Sequence, residues 1–247
     1  MANMLGGGEG GFALPLEAWF YEMPIITRCW TTATVITGIL VQCHILTPFQ
    51  LFYSHRAVFN KGQYWRLLST FVYFGPLSLN LVFHLFFMQR YARMLEESAV
   101  TTAHFSWLMM CAASTILVVA PFFSQAFLGA SLSSTLTYIW SRRNPDVRLS
   151  FFGVLNFKAP WLPWVLVAFN VVLHGHWPKD ELCGIVVGHI FYFLSDIYPG
   201  THDGYRPMNP PQFWLRLFDR RTPAADMVMN NGVLMRREAA VPAIPEL

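Results

Sequence analysis

Charge is what this 247-residue sequence has least of: Asp, Glu, Lys and Arg make up 13% of it, about half the share of roughly 25% usual in soluble domains. With 54% hydrophobic residues and a mean hydropathy of +0.38, the deficit excludes an ordinary water-soluble globule and points to a membrane protein. Other scarcities narrow the class. The net charge of +3 is too small, and no basic run is interleaved with aromatics, so nucleic acid is not an expected partner. Cys29, Cys43, Cys111 and Cys183 show neither paired nor metal-like spacing and read as small buried hydrophobes; neither metal nor cofactor is expected. No phosphate-binding glycine loop of the Walker type occurs, so any directional work draws its energy from elsewhere. No Asn-x-Ser/Thr sequon is available to report topology. Residues 1–11 are Gly-rich with Glu9 and no positive n-region, so the first span is expected to act as an uncleaved anchor. Lys179-Asp180-Glu181-Leu182 spells an ER-retrieval tetrapeptide, but such signals are read at the C-terminus, where the chain has Ile244-Pro245-Glu246-Leu247.

What is present is six apolar stretches, diluted by polar residues as in helices that pack on each other more than on lipid. They centre on residues 29–46, 77–91, 104–120, 122–140, 160–173 and 182–198, several of them shorter than the ~20 residues a crossing needs. The expected fold is an all-α membrane protein. Residues 1–15 read as a disordered tail, 16–200 as the membrane domain, 201–221 as a cytosolic interfacial segment and 222–247 as a second disordered tail. Within these, Leu16–Ile26 reads as a short interfacial segment. Residues 47–76 form an aromatic-rich first loop containing Trp65-Arg66 and suited to the membrane interface. The link between the third and fourth stretches is short enough to demand a helical hairpin. Phe213-Trp214-Leu215-Arg216-Leu217-Phe218 has an apolar face flanked by Arg220-Arg221 and predicts a short helix on the cytosolic leaflet.

Positive charge sets the orientation. With the N-terminus, the second and fourth links and the C-terminal tail on one side, that side holds thirteen of the 17 Lys and Arg. The opposite side holds Arg56, Lys61, Arg66 and Lys179. The richer side is cytosolic, so both termini are expected there.

Two features bear on function. Gly184-x-x-x-Gly188 places two glycines on one helix face, where they let another backbone approach closely. Gly129-Ala130-Ser131 offers a Gly-x-Ser string and His189 a base on another span, the ingredients of intramembrane serine proteolysis if both face a wet cavity. Against this, Ser and Thr in membrane helices mostly bond across helices or to the i−4 carbonyl, and five Ser/Thr within 131–137 make a Gly-x-Ser match easy by chance. Asn80, His84, Gln125, Ser131 and His189 are not expected to face lipid, where unpaired polar groups are costly. Either they bond to one another inside the bundle or they line a polar groove.

Trp65-Arg66, the polar second span, the six-span plan and the last-span glycine pair resemble the rhomboid superfamily. More closely, the sequence resembles the derlin family, its inactive branch in ER-associated degradation, and within it the derlin-2 type. The resemblance rests on Thr47-Pro48-Phe49-Gln50-Leu51, Trp65-Arg66-Leu67, Phe74-Gly75-Pro76, Arg93-Met94-Leu95-Glu96-Glu97, Trp140-Ser141-Arg142-Arg143-Asn144-Pro145, Phe151-Phe152-Gly153, Leu155-Asn156-Phe157, Pro163-Trp164-Val165-Leu166 and Gly188-His189-Ile190. It covers about residues 17–200. It implies a rhomboid-like bundle of six transmembrane helices with an interfacial first loop, in the endoplasmic reticulum membrane.

The resemblance also allows proteolysis to be tested residue by residue. Active rhomboids carry the catalytic His three residues before the first glycine of the last-span pair; this chain has Glu181 there. Their second span offers His-x-x-x-Asn toward the oxyanion; this chain has Asn80-x-x-x-His84, the two types exchanged. The nucleophile should fall near Gly129, which leaves Ser131 out of register. No catalytic residue is therefore assigned, and an active rhomboid-type intramembrane serine protease stands as the alternative.

By resemblance the chain is a pseudoprotease that helps retrotranslocate misfolded proteins, by thinning the bilayer and offering a polar groove. The implied partners are misfolded clients, a membrane ubiquitin ligase complex, the cytosolic AAA ATPase, the lipid bilayer and further copies of itself or of relatives. The same resemblance links it to the unfolded protein response. The Phe-, Gly- and Arg-Leu-Gly-Gly-rich tail motif through which many derlins recruit the ATPase is absent from Met227–Arg237. Trp65 and Arg66 are expected to hold the first loop at a fixed depth, and Gly184 and Gly188 to serve helix packing. A small-solute transporter would need paired intramembrane charges or an inverted repeat, and neither is found.

Overall fold

The least apolar of the long helices lies at the centre of the structure. A computed structural model of the chain describes residues 20–123, 125–151, 155–202, 205–218, 227–230 and 233–236. Its long helices are α1 (Ile25–Gln42), α2 (Leu79–Glu97), α3 (Thr102–Phe123), α4 (Gly129–Arg143), α5 (Leu162–His174) and α6 (Lys179–Tyr192). A seventh, shorter helix, α7, spans Gln212–Phe218. Helix α4, rich in Ser and Thr, packs against α2, α3, α5 and α6, and nearly all of it is buried. A helix ringed by other helices meets no lipid, so small polar side chains cost little there. Ser131, Thr135, Thr137 and Ser141 each bond to a backbone carbonyl. Around α4, Leu132, Leu136 and Ile139 form the core with Phe105, Ile116, Leu128 and Leu162.

The mostly helical fold agrees with the expected class. Among the described residues, three helical stretches, Ile25–Gln42, Thr102–Phe123 and Lys179–Thr201, are long and apolar enough to cross a membrane. Their outer faces remain bare in the chain, with Val118 69% and Phe122 83% exposed, as suits surfaces turned to lipid. The same reasoning corrects the reading of the cysteines as buried hydrophobes. Only Cys183 is buried; Cys29 and Cys43 are exposed and Cys111 half-buried. On a lipid-facing surface a small apolar side chain needs no protein cover.

Several boundaries differ from the sequence reading. The third helix was expected to end at 120 and the fourth to begin at 122, but α3 runs through Pro121 to Phe123 and α4 starts at Gly129. Pro121 falls in the last turn of α3, where its missing N–H and its ring, which crowds the preceding turn, favour the helix ending soon after. The connection is held against the first loop: Tyr53 N–H donates to Ala126 O at 2.8 Å and Leu128 N–H to Thr70 O at 2.9 Å. The link between α4 and α5 holds an unforeseen antiparallel hairpin, β1 (Arg148–Phe151) and β2 (Leu155–Lys158). Its Leu149 and Phe157 pack against the core. Residues 193–197 continue α6 as a π-helical turn, where Arg143 forks onto Asp196 at 2.9 and 3.0 Å.

The first loop folds into three helical turns, Pro48–Leu51, His55–Lys61 and Arg66–Ser69. Gln50 Oε1 accepts from Thr47 N–H at 3.1 Å in a capping box, and Gly62 ends the second turn with φ +66°, a left-handed conformation that favours glycine. Helix α7 forms where the amphipathic pattern predicts and docks on α3, Trp214 Nε1–H donating to Ser106 Oγ at 3.0 Å. The tail expected to be unstructured at 222–247 contains paired strands β3 (Met227–Asn230) and β4 (Val233–Arg236). The tail expected at 1–15 lies outside the described residues.

Candidate functional site

Helix α6 meets α4 along a seam built from glycine on one side and hydroxyls on the other. Ser131, Ser134, Thr135 and Tyr138 follow the i, i+3, i+4, i+7 spacing that lines one helix face. A Cβ added at Gly184 would lie 2.3 Å from Ser131 O, and one added at Gly188 would lie 2.9 Å from Tyr138 Cβ and 3.0 Å from Thr135 O. Neither glycine leaves room for a side chain. Because the backbones approach so closely, the hydroxyls of α4 reach carbonyls of α6. Ser131 Oγ–H donates to Asp180 O at 2.8 Å, Ser134 Oγ–H to Glu181 O at 3.0 Å, and Thr135 Oγ1 lies 2.9 Å from Gly184 O.

The start of α6 also closes a polar cavity against α2 and α5. Glu181 is buried, and its Oε1 accepts from Asn170 Nδ2–H at 2.5 Å. Its Oε2 is buried and accepts no hydrogen bond from the described residues. Two adjoining cavities share His84, Ala130, Asn170 and Glu181 as walls. The larger has a volume of about 660 Å³ and opens past His174, His176, Lys179 and Asp180; the smaller reaches inward to Ser133 and Ser134.

The five polar residues singled out from the sequence separate into different places. His84 lines the cavity, with its ring 5.9 Å from that of Phe74. Gln125 and Ser131 sit behind the wall, fully or nearly buried, with their side chains 3.3 Å apart. His189 is exposed farther along α6, where Nδ1 lies 2.8 Å from Tyr138 Oη. The side chain of Asn80 lies outside the described residues. Ser131 and His189 are thus not neighbours: Ser131 bonds at Asp180, and Asp180 and His189 are separated by about 13 Å of helix rise.

Trp65 and Arg66 also part company. Arg66 is buried and grips the first loop from within, Nη1–H donating to Phe49 O at 2.7 Å and Phe52 O at 2.8 Å, and Nε–H to Gln63 Oε1 at 2.6 Å. Its guanidinium also lies 5.2 Å from the centre of the Phe52 ring. Trp65, by contrast, is 58% exposed.

Asn170 and Glu181 escaped the sequence reading as a pair. Asn170 interrupts an otherwise apolar helix, and a polar residue within such a segment is itself a functional pointer. Glu181 was read as a charge at the edge of a span, because nothing local shows that the turn between α5 and α6 folds it back onto Asn170.

Long apolar helices with bare outer faces, gathered around a buried polar one, define a multi-pass membrane protein. The chain belongs to the Der1-like family, whose model matches residues 23–212. It is 35% identical to Derlin-2.1 of Zea mays over 219 residues, which cover 83% of this chain and 87% of that protein. To Derlin-2.2 of Arabidopsis thaliana it is 36% identical over 219 residues, covering 83% and 89%. The probable derlin-2 homolog of Dictyostelium discoideum is 33% identical over 216 residues, 84% of each chain. The chain is a derlin-2-like protein, as the motifs in its sequence led one to expect.

Proposed function

We propose that this protein is a non-catalytic component of ER-associated degradation, with both termini in the cytosol and its six long helices arranged as a rhomboid-like bundle. It helps misfolded clients cross the ER membrane toward the cytosol. The observation that carries the reading is the cavity walled by His84, Asn170 and Glu181. A polypeptide crossing hydrocarbon must leave its N–H groups unpaired, at a cost of several kcal/mol each. Polar side chains on the cavity wall that keep some exposure, such as His84 and Asn170, lower that cost.

Helix length supports the second half of the mechanism. The 13 residues of α5, whose Val172 and Leu173 are exposed, rise about 20 Å, against a hydrocarbon core about 30 Å thick. Short elements of this kind are accommodated by thinning the bilayer around them, which shortens the path a client travels. The ring of Trp65 on the exposed face of the first loop suits the headgroup level, and Arg66 keeps that loop folded. The bonding of Ser131 to a carbonyl of α6, and of His189 to Tyr138, favours a pseudoprotease over a protease. A membrane ubiquitin ligase and the AAA ATPase are the partners this role requires.

The test is the clearance rate of a misfolded luminal client in cells carrying Asn170→Leu or Glu181→Gln. Slower clearance at normal protein level and normal recovery of partner complexes is the expected result. Clearance at the parental rate in both variants would remove the cavity from the mechanism.

A further inference from the structure

A further cavity, of about 570 Å³, lies on the outer side of α2 beneath the β1–β2 hairpin, divided by Phe83 and Phe87 from the smaller of the two cavities described above. Its two ends differ in character. One is aromatic and aliphatic: Val82 and Phe86 are more than half exposed and continue the lipid-facing surface of α2 into the cavity, with Phe157 as the opposite wall. The other end holds Arg90, one turn further along α2, and Arg148 at the start of β1. Both arginines are exposed, and neither pairs with a carboxylate among the described residues. Lys158 stands directly across the hairpin from Arg148. Like charges opposed on adjacent strands are destabilising, and an anion between them removes the penalty.

An apolar slot open to the membrane, ending in two guanidiniums with an ammonium beside them, matches one kind of ligand. We infer that this cavity binds an anionic glycerophospholipid, with an acyl chain along Val82, Phe86 and Phe157 and the phosphate held by Arg90 and Arg148, Lys158 adding its charge. Arginine suits this task because its planar donors meet phosphate oxygens in pairs. A free phosphate would leave the aromatic wall unused, and a zwitterionic lipid would leave the cations uncompensated.

The experiment measures retention of dioleoyl phosphatidylserine and dioleoyl phosphatidylcholine on the full-length chain in detergent, by native mass spectrometry. The same is done for Arg90→Gln/Arg148→Gln and for a control, Arg56→Gln/Lys61→Gln, that removes the same two charges from the first loop. Each cation near an anionic headgroup contributes about fivefold in affinity. Phosphatidylserine is therefore expected to outlast phosphatidylcholine on the parent, and the Arg90/Arg148 variant to lose about 25-fold in affinity for it while the control does not. Equal retention of the two lipids by the unaltered chain would overturn the inference, and that comparison depends on no variant folding. An equal loss in the control would reduce the effect to net charge. Displacement of the lipid by soluble glycerol phosphate would show that the arginines bind free phosphate instead.

Discussion

The carboxylate of Glu96, at the end of α2, caps the start of α1 through Thr27. Oε2 accepts from both the backbone N–H and the hydroxyl of Thr27, each at 2.8 Å, and Oε1 from Ile26 N–H at 3.0 Å. Helix α1 needs this help, because Pro24 at its N-cap position has no side-chain acceptor and the first N–H groups of a helix have no partner within it. A negative charge at that end also opposes the helix dipole favourably. Two helices that are neighbours in the bundle are thereby locked at one end.

Glu96→Ala should lower the thermal stability of the purified protein in detergent by about 1–3 kcal/mol, the usual cost of stranding buried donors. Glu96→Gln keeps one acceptor oxygen and should cost less. Thr27→Val removes one hydroxyl bond and should cost about 1 kcal/mol. A Glu96→Ala protein as stable as the parent would show that water or lipid replaces the cap.

The seam between α4 and α6 predicts an order of severity. At Gly184 a methyl group would lie 2.3 Å from the backbone oxygen of Ser131; at Gly188 it would meet Tyr138 Cβ at 2.9 Å and Thr135 O at 3.0 Å, atoms as firmly fixed to α4 but less closely approached. Gly184→Ala should therefore be more harmful than Gly188→Ala, and Leu at either site worse still, since overpacking typically costs about 1–3 kcal/mol. Folded yield and melting temperature in detergent report this, and the reverse order would argue that the seam opens in solution.

Trp65→Ala and Arg66→Ala should separate folding from function. Arg66 makes three hydrogen bonds inside the loop, so its loss should raise protease sensitivity of residues 47–76 and reduce accumulation. Trp65 is exposed, so its loss should leave stability within about 0.5 kcal/mol and slow clearance of a misfolded client. Parental clearance by Trp65→Ala would deny the exposed ring a role in setting loop depth.

No peptidase activity is expected from the purified chain on a transmembrane reporter. Ser131→Ala should instead reduce stability by about 1 kcal/mol, because its hydroxyl bond to Asp180 O is lost. Cleavage by the parent that Ser131→Ala or His189→Ala abolishes would restore the protease reading.

The sequence by itself determined the solvent, the helical class, the family and the glycine spacing of α6. Each of these is local or cumulative: hydropathy adds along the chain, and residues four apart share a helix face whatever surrounds them. Tertiary structure decided everything that joins residues from different helices. Glu96 finds Thr27 across 69 positions, Glu181 turns from a span-edge charge into the partner of Asn170, and Arg66 buries itself in its own loop while Trp65 does not. The polar residues expected either to bond together or to line one groove came apart because, among those whose side chains are described, only His84 lines the cavity, while His189 lies more than two turns along α6 from Asp180. Which face of a helix meets which neighbour depends on how all the helices pack together, and that is not written in the periodicity of any one of them.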